Sequence, residues 1–136
     1  MIFLDTNIIS YYFNGSIEIK EKLLEAIDND ENIATTIINV YEILKGLRWK
    51  NNNNKEKLFK DFVENVLVFT IDNNVIELAA NIYADLRKQG KIIGDADILI
   101  AAIVMNNKGK LVSNNIKHYE NIKNLNLVNW FDWKFY

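Results

Sequence analysis

Short apolar runs alternate with amphipathic stretches along this chain, in a regular order. The runs at residues 2–4, 33–35, 66–71 and 111–112 have the length and composition of short strands buried in a sheet. Because the stretches between them have helical spacing, the pattern predicts an α/β fold. It should have a mostly parallel central sheet with helices on both faces. Residues 127–128 are expected to form a last strand at the sheet edge.

The amphipathic stretches predict helices at residues 8–13, 17–27, 37–49, 55–65, 74–89 and from about 95 onward. Thr36 is a typical N-cap for the third helix, and Asn74 resembles the start of a capping box that opens the fifth. Gly90 is the expected C-cap of that fifth helix. The helix from Ile98 is apolar on all sides, so it should lie in the centre of the fold. The third helix has a predicted buried stripe of Ile37, Val40, Tyr41, Leu44 and Leu47.

Polar side chains follow the ends of two predicted strands. The first strand stops at residues 5–7, Asp-Thr-Asn, and the fourth stops at residues 113–115, Ser-Asn-Asn. In an open α/β sheet, ligands bind beyond the carboxyl ends of the strands, so both segments are expected to line one crevice. An ordinary turn is the alternative for each segment, because Asp and Asn bond to their own backbone.

Three further acids have two interpretations each. Asp95 and Asp97 stand at the start of the apolar helix, where they would serve as N-cap and first-turn acid. Alternatively, two acids beside a buried helix form a charge-dense corner that a metal ion would neutralise, since the nearest preceding basic residue is Lys91. Glu42 lies off the buried stripe of its helix, and pairing with Lys45 at the surface is the interpretation that these residues favour.

Composition excludes several kinds of chemistry. The 136 residues include no cysteine and one histidine, which excludes disulfides, zinc–thiolate sites, thiol catalysis and a histidine-rich metal site. We interpret the histidine, His118, as a surface residue. Asparagine occurs 21 times, so isolated asparagines carry no weight as signals.

Charge and hydropathy limit the partners. A net charge of −2 means that binding to nucleic acid would need a local basic patch or bridging metal ions. The longest apolar run, residues 98–105, is far too short to span a bilayer, and the N-terminus lacks the pattern of a signal peptide. We expect one cytoplasmic domain over residues 1–136 with no membrane partner. Its aromatic tail, residues 130–136, should dock on the sheet edge or on a partner.

Carboxylates without histidine or thiol ligands suit hard cations such as Mg²⁺ and Mn²⁺. Metals held in this way activate water and bind the oxygens of a phosphodiester. A metal-dependent nuclease therefore follows from the residue types. A phospho-receiver domain also collects acids at strand ends, and Asp72 after the third strand would fit one. A receiver needs a lysine at the end of a late strand, however, and residues 113–115 supply none.

Four segments together resemble the PIN domain family, and within it the VapC-type toxins of prokaryotic toxin–antitoxin pairs. They are residues 4–7 (LDTN), 40–46 (VYEILKG), 97–102 (DILIAA) and 111–115 (LVSNN). The resemblance covers the chain from Met1 to about Trp130. It implies a Mg²⁺- or Mn²⁺-dependent endoribonuclease that cuts RNA, forms a homodimer and is inhibited by a small antitoxin protein.

The resemblance also implies roles for single residues. Asp5, Glu42 and Asp97 match the catalytic acids that bind the metal, and Asp95 is an additional acid, either an auxiliary ligand or a helix cap. Asn115 stands where PIN domains often have a fourth Asp, and because Asn is a poorer ligand, tight binding of a second metal is not implied. The supporting residues of the site are Thr6, Asn7, Ser113 and Asn115. Candidate RNA contacts, which would otherwise be solvated surface, are Lys45, Arg48, Arg87, Lys88 and Lys91.

Two alternatives keep the fold and change the function. A housekeeping PIN-domain nuclease would process RNA without an antitoxin. A PIN-fold interaction module would bind a partner without catalysis, but the presence of all three main acids argues against it.

Overall fold

The sheet of the computed structural model contains five strands: β1 (Ile2–Leu4), β2 (Ile33–Thr36), β3 (Leu67–Phe69), β4 (Lys110–Val112) and β5 (Asn126–Val128). All neighbouring strands are parallel, in the order β3-β2-β1-β4-β5. The structure describes residues 1–131. The sheet confirms the predicted α/β architecture, and β1 lies at its centre with β5 at one edge.

The helices of the described residues are α1 (Thr6–Phe13), α2 (Ile17–Asp28), α3 (Ile37–Trp49), α4 (Asn53–Glu64), α5 (Asn73–Lys88), α6 (Asp95–Asn106) and α7 (Ile116–Tyr119). Each of the six predicted helices is present, and the short α7 is an addition. Across residues 1–131, the longest apolar helical stretch falls short of what a membrane crossing requires.

The two faces of β1 build two separate cores. Phe3 points to the side covered by α5, α6 and α7, whereas Ile2 and Leu4 point to the side covered by α1, α2 and α4. This follows from the alternation of side chains along a strand, so that even a three-residue strand contributes to both faces. On the first side α6 is buried along most of its length, as its uniform apolarity predicts.

The predicted buried stripe of α3 is only partly right. Val40, Leu44 and Leu47 pack against the core on the α1 side, as expected. Ile37 and Tyr41 are exposed, Tyr41 by 62%, which contradicts the prediction. α3 packs against both α4 and α1. The face that it buries against them therefore differs from the predicted stripe and leaves Ile37 and Tyr41 exposed.

Two predicted helix starts also differ. Asp72 caps α5, with its carboxylate accepting from the Val75 N–H at 2.9 Å, so Asn74 lies inside the helix and is not its cap. α4 begins at Asn53 with Asn52 as its N-cap, two residues earlier than predicted. In both cases an Asp or Asn close to the predicted start makes the capping bond.

The carboxyl ends of β1, β2 and β4 meet at the centre of one sheet edge. The Thr35 hydroxyl donates to the Leu4 carbonyl at 2.9 Å and ties the end of β2 to the end of β1. On the other side the Asp5 N–H donates to the Val112 carbonyl at 3.0 Å. Ligands of parallel sheets bind at this border, where the carboxyl ends of the strands lie.

The predicted aromatic tail begins with Trp130 and Phe131, which pack against the core on the α1 side. The Phe131 ring lies edge-on to Tyr11, with ring centroids 5.3 Å apart. The first part of the tail therefore docks on this chain's own fold. The remaining residues of that predicted tail, 132–136, lie outside the described part of the structure.

Candidate active site

Asp5 follows β1 directly and is the N-cap of α1, with only 3% of its surface exposed. Its Oδ1 accepts from the Thr6 N–H and from the Asn39 amide, both at 2.9 Å. Its Oδ2 accepts from the Ser113 hydroxyl at 2.7 Å. The carboxylate is therefore held by groups from three separate segments, and the predicted meeting of Asp5 with the end of β4 is observed.

Burial, hydrogen bonds and a neighbouring charge all act on the pKa of Asp5, and on balance they raise it. Burial raises the pKa of Asp5 above its ordinary value, because the charged carboxylate has lost solvation by water. The hydrogen bonds from Ser113, Thr6 and Asn39 act in the opposite direction, and the nearby negative charge of Asp97 adds to the rise. Asp5 and Asp97 thus lie close enough to repel each other.

Asn39 is the hub of the hydrogen-bond network beside Asp5. It is fully buried, and its amide nitrogen donates both to Asp5 and to the Thr6 hydroxyl, the latter at 3.0 Å. Its amide oxygen accepts from the Thr36 hydroxyl at 2.7 Å. Thr36 and Asn39 form the capping box that opens α3, so the start of this helix is locked to the acid site.

Glu42 lies one turn further along α3, on the same face as Asn39. Its Oε1 accepts from the Thr6 hydroxyl at 2.8 Å, which links it to Asp5 through a single residue. The favoured surface pairing of Glu42 with Lys45 is wrong, because the Lys45 ammonium lies 5.2 Å from the ring centre of Tyr41. Glu42 belongs to the network around Asp5.

Asp97 sits in the first turn of α6 and is held from α7. Its Oδ2 lies 2.9 Å from His118 Nδ1, and the Tyr119 hydroxyl donates to its Oδ1 at 3.2 Å. A carboxylate only accepts, so Nδ1 carries the proton in this contact. Tyr119 is almost fully buried. Its burial and the charges of Asp5 and Asp97 raise its pKa strongly, which keeps the hydroxyl protonated as a donor.

The other predicted site residues lie further out. Asp95 is exposed and is the first residue of α6, but Gly94 is the N-cap, so Asp95 does not cap this helix. Asn7 accepts from the Asn114 N–H at 3.2 Å and ties the β4–α7 loop to α1. Its own amide nitrogen is buried without a hydrogen-bond partner among the described residues. The Asn115 N–H donates to the Ser113 hydroxyl, while the Asn115 side chain is exposed.

The donor set fits a hard divalent cation. Among the ion pairs of residues 1–131, no lysine or arginine neutralises Asp5, Glu42 or Asp97. Residues 1–131 contain no group of three or more acidic, histidine or cysteine side chains already placed to hold a metal ion together. Hard divalent cations prefer oxygen ligands, so Asp5, Asp97 and Glu42 are the side chains that would hold such an ion.

Comparison with known families decides the assignment. The family model described as PIN domain matches residues 2–135. The chain belongs to the PIN domain family. This membership confirms the resemblance read from the four segments and excludes the receiver-domain alternative.

Two relatives of this PIN domain are named ribonucleases. Ribonuclease VapC1 of Methanocaldococcus jannaschii is 30% identical over 93% of this chain and 84% of that protein. Ribonuclease VapC2 of Rickettsia felis is 31% identical over 93% of this chain and 96% of that protein. Both matches extend over nearly the whole chain, and the family-model match, residues 2–135, spans all three acids.

Solved structures of toxin–antitoxin complexes share the fold. VapBC2 from Rickettsia felis, bound to a DNA fragment from its promoter, has a TM-score of 0.84 at 31% identity, covering 96% of this chain and 99% of that one. VapBC-1 from nontypeable Haemophilus influenzae has a TM-score of 0.84 at 25% identity, covering 96% and 98%. The predicted fold and family are confirmed by both.

The predicted RNA contacts of this PIN domain have mixed surroundings. Arg48 is paired with Glu56 at 3.1 Å, and Arg87 lies over the ring of Tyr83 at 5.9 Å. Lys91 is exposed beyond the end of α5. The role of these three residues, and of Lys45 and Lys88, in binding RNA stays a prediction.

Three residues of the network escaped the sequence analysis: Asn39, His118 and Tyr119. Asn39 is three residues after the N-cap Thr36 and three before Glu42, which is the spacing of one helix face and a usable signal. The high asparagine content concealed it. His118 and Tyr119 gave no signal of their own, because only the packing of α7 against α6 brings them to Asp97.

Proposed function

We propose that this chain is a Mg²⁺- or Mn²⁺-dependent endoribonuclease that acts in the cytoplasm as the toxin of a toxin–antitoxin pair. The observation that carries the proposal is the juxtaposition of Asp5 and Asp97 at the carboxyl edge of the sheet, without a lysine or arginine paired to either in residues 1–131. The named ribonuclease relatives and the VapBC complexes support the same activity and partner class.

The residues of the chain hold the acids ready for the metal. Ser113, Thr6 and Asn39 keep Asp5 in one orientation, and α7 does the same for Asp97. Such outer partners set the direction of ligand lone pairs and are worth about 10–100-fold in metal affinity or activity. We propose Asp5 and Asp97 as direct ligands and Glu42 as the third acid.

The bound cation would lower the pKa of a water molecule and stabilise the charge that develops on the phosphodiester. Glu42 is half-buried and faces the groove between α1 and α3. It is therefore suited to orient a water molecule beside the scissile phosphate. The Thr6 hydroxyl, which donates to Glu42, keeps that carboxylate pointed toward the site.

Cleavage of a mixed, end-labelled RNA pool by the purified chain tests the activity. We expect cutting with Mg²⁺ or Mn²⁺ and none with a chelator. Asp97→Asn should lower the rate by at least about 100-fold, since a ligand contributes more than an outer partner. Its thermal unfolding, measured in chelator, should show an intact fold. Full activity of Asp97→Asn would contradict the metal-ligand role, and metal-independent binding without cleavage would favour an interaction module.

The toxin role is tested in cells. Expression of this chain alone should slow growth, the Asp97→Asn variant should not, and co-expression of a short adjacent gene for the antitoxin should restore growth. We expect that partner to present a basic residue, an arginine, to Asp5 and Asp97, because a guanidinium binds carboxylates bidentately. If lone expression is harmless while the purified chain cuts RNA, a housekeeping PIN-domain nuclease is the better assignment.

A further inference from the structure

A groove runs from the acid site along the outside of the molecule, between α1 and α3. It encloses about 210 Å³. Thr6 and Glu42 line its inner end, and Lys50 and Lys55 line its outer end. Lys50 is the C-cap of α3, eight residues after Glu42, so at 1.5 Å per residue the groove extends roughly 12 Å away from the acids.

The middle of the groove is apolar. It is lined by Ile9 and Phe13 of α1, Leu47 of α3 and Phe59 of α4, and the Phe13 and Phe59 rings lie edge-on with their centroids 6.0 Å apart. Gly46 lies between Glu42 and Lys50 on the groove face of α3. A Cβ added at Gly46 would meet no atom within 4 Å, so the missing side chain leaves open space in the groove.

The outer end carries positive charge and polar groups. The Lys55 ammonium donates to the Asn14 side-chain oxygen at 2.7 Å, which joins α4 to the end of α1 and closes the groove. Lys50, the C-cap of α3, is exposed. In residues 1–131 neither lysine forms an ion pair with a carboxylate, so both are available to an anionic ligand.

We propose that this groove binds one nucleobase of the RNA substrate and the phosphate that follows it, beside the scissile bond. This rests on the proposed ribonuclease function. The volume is below the roughly 300–1,000 Å³ of a drug-sized ligand site, which suits a single base, and bases of single-stranded RNA bind by stacking on aromatic rings such as Phe13. The two lysines meet the phosphate.

A protein occupant is less well matched to these features. An amphipathic helix binds through apolar anchors spaced over two turns or more, whereas this groove is apolar only in its middle. Acids at one end and lysines at the other match a strand of phosphates whose scissile group lies at the metal. The ends of the groove therefore select RNA over an apolar peptide.

Titration of the ¹⁵N-labelled chain with each of the four ribonucleoside 5′-monophosphates, in chelator, tests the groove without catalysis. We expect saturable amide shifts at Ser10, Gly46 and Lys50 with at least one nucleotide. Ribose 5-phosphate, which lacks the base, should shift only the lysine end. Shifts that are the same with and without the base would overturn the base subsite, as would the absence of saturable shifts.

Two variants and a matched control extend the test to cleavage. Gly46→Leu fills the groove, and Lys55→Gln removes one charge. Each should raise KM for a short RNA by about tenfold, which equals 1.4 kcal/mol, with little change in kcat. Lys57→Gln removes the same charge from the same helix at an exposed position outside the groove, and it should leave KM unchanged.

The outcomes separate this proposal from the proposed function. Cleavage by the wild-type chain together with an unchanged KM in Gly46→Leu would overturn the groove alone. If Gly46→Leu loses antitoxin binding but keeps its KM for RNA, the groove belongs to the protein partner and the proposal is wrong. Absence of any metal-dependent cleavage by the wild-type chain would instead overturn the ribonuclease function.

Discussion

Asp5 combines two requirements that conflict in the metal-free protein. The proposed role as a metal ligand requires a charged carboxylate, yet Asp5 is buried and lies near Asp97. Burial and this like charge raise the pKa of Asp5 in the folded state, while the unfolded chain keeps an ordinary value of 3.8. The folded protein therefore holds the proton more tightly than the unfolded one, and this group costs stability once it ionises.

The consequence is a pH-dependent effect of Asp5→Asn. The stability linked to the raised pKa is present below the unfolded pKa and is lost as the pH rises through the folded pKa. In chelator at pH 7, Asp5→Asn should therefore unfold at a higher temperature than the wild type. The difference should shrink as the pH falls toward 4. Asn preserves the bonds to Thr6 and Asn39, and the Ser113 hydroxyl can accept where it donated.

Thermal unfolding between pH 4 and pH 8 measures this effect. Asp61→Asn, at an exposed position on α4, controls for the change in net charge and should shift the unfolding temperature little at any pH. A stabilisation by Asp5→Asn that is independent of pH would contradict the electrostatic explanation.

Asn39 carries no charge, so its substitution tests how much the hydrogen bonds beside Asp5 contribute to stability. Asn39→Ala removes two donated bonds and leaves the Thr36 hydroxyl without its acceptor in a fully buried place. Each unsatisfied buried group costs about 1–3 kcal/mol, so we expect a loss of roughly 2–4 kcal/mol in the free energy of unfolding. Urea denaturation measures it. Asn114→Ala, at an exposed residue, is the control, and equal losses in both variants would contradict the role of Asn39.

At the scale of elements, the backbone just before β4 passes very close to a side chain of β1. A Cβ on Gly109 would come within 2.5 Å of the Phe3 ring. Phe3 is fully buried in the core that α6 covers, so a shift of its ring would disturb close-packed neighbours. The glycine is required here because the backbone before β4 passes directly over that ring.

Gly109→Ala should therefore lower the free energy of unfolding by about 1–3 kcal/mol, the usual cost of overpacking. The same substitution at Gly46, within α3 and next to open space, should raise it by about 0.5–1 kcal/mol through helix propensity. Chemical denaturation of both variants gives the two signs. A stable Gly109→Ala protein would show that the Phe3 ring can shift.

At the scale of the whole molecule, one face of α5 presents large apolar side chains to solvent. Ile76 and Tyr83 are seven residues apart and are exposed by 50% and 46%. Because a spacing of seven returns to the same side of a helix, they form one apolar strip. A second copy of the chain is the partner that we expect to cover it, since symmetric dimers are the commonest oligomers.

Light scattering at micromolar concentration should give twice the 15.9 kDa mass of the chain. Ile76→Glu should give the single-chain mass, because a charge would be buried in the interface. Ile17→Glu, on α2 with 71% exposure, should remain dimeric. A single-chain mass for the wild type would contradict the dimer, and a dimeric Ile76→Glu would place the interface elsewhere.

Several local features could be predicted because neighbouring residues alone decide them. The three-residue strand at Ile2–Leu4 and the helix at Ile37–Trp49 follow from apolar spacing and from the Thr36 cap. The position of Asp5 follows from its place directly after a buried parallel strand. Glu42 required the family resemblance, since the residues alone favoured surface pairing for it, whereas Asp97 was already a candidate as one of two acids at the start of a buried helix.

The tertiary structure decided everything that depends on how helices pack against one another. The rotation of α3 exposes Tyr41 and turns Asn39 toward Asp5, and periodicity cannot determine that rotation because several faces of this helix carry apolar residues. The docking of α7 brings His118 and Tyr119, about twenty residues away in sequence, to Asp97. The sequence by itself determined the elements and the acids, because spacing and residue type are local properties. Which side chains support those acids was decided by contacts between distant segments, whose geometry no local pattern encodes.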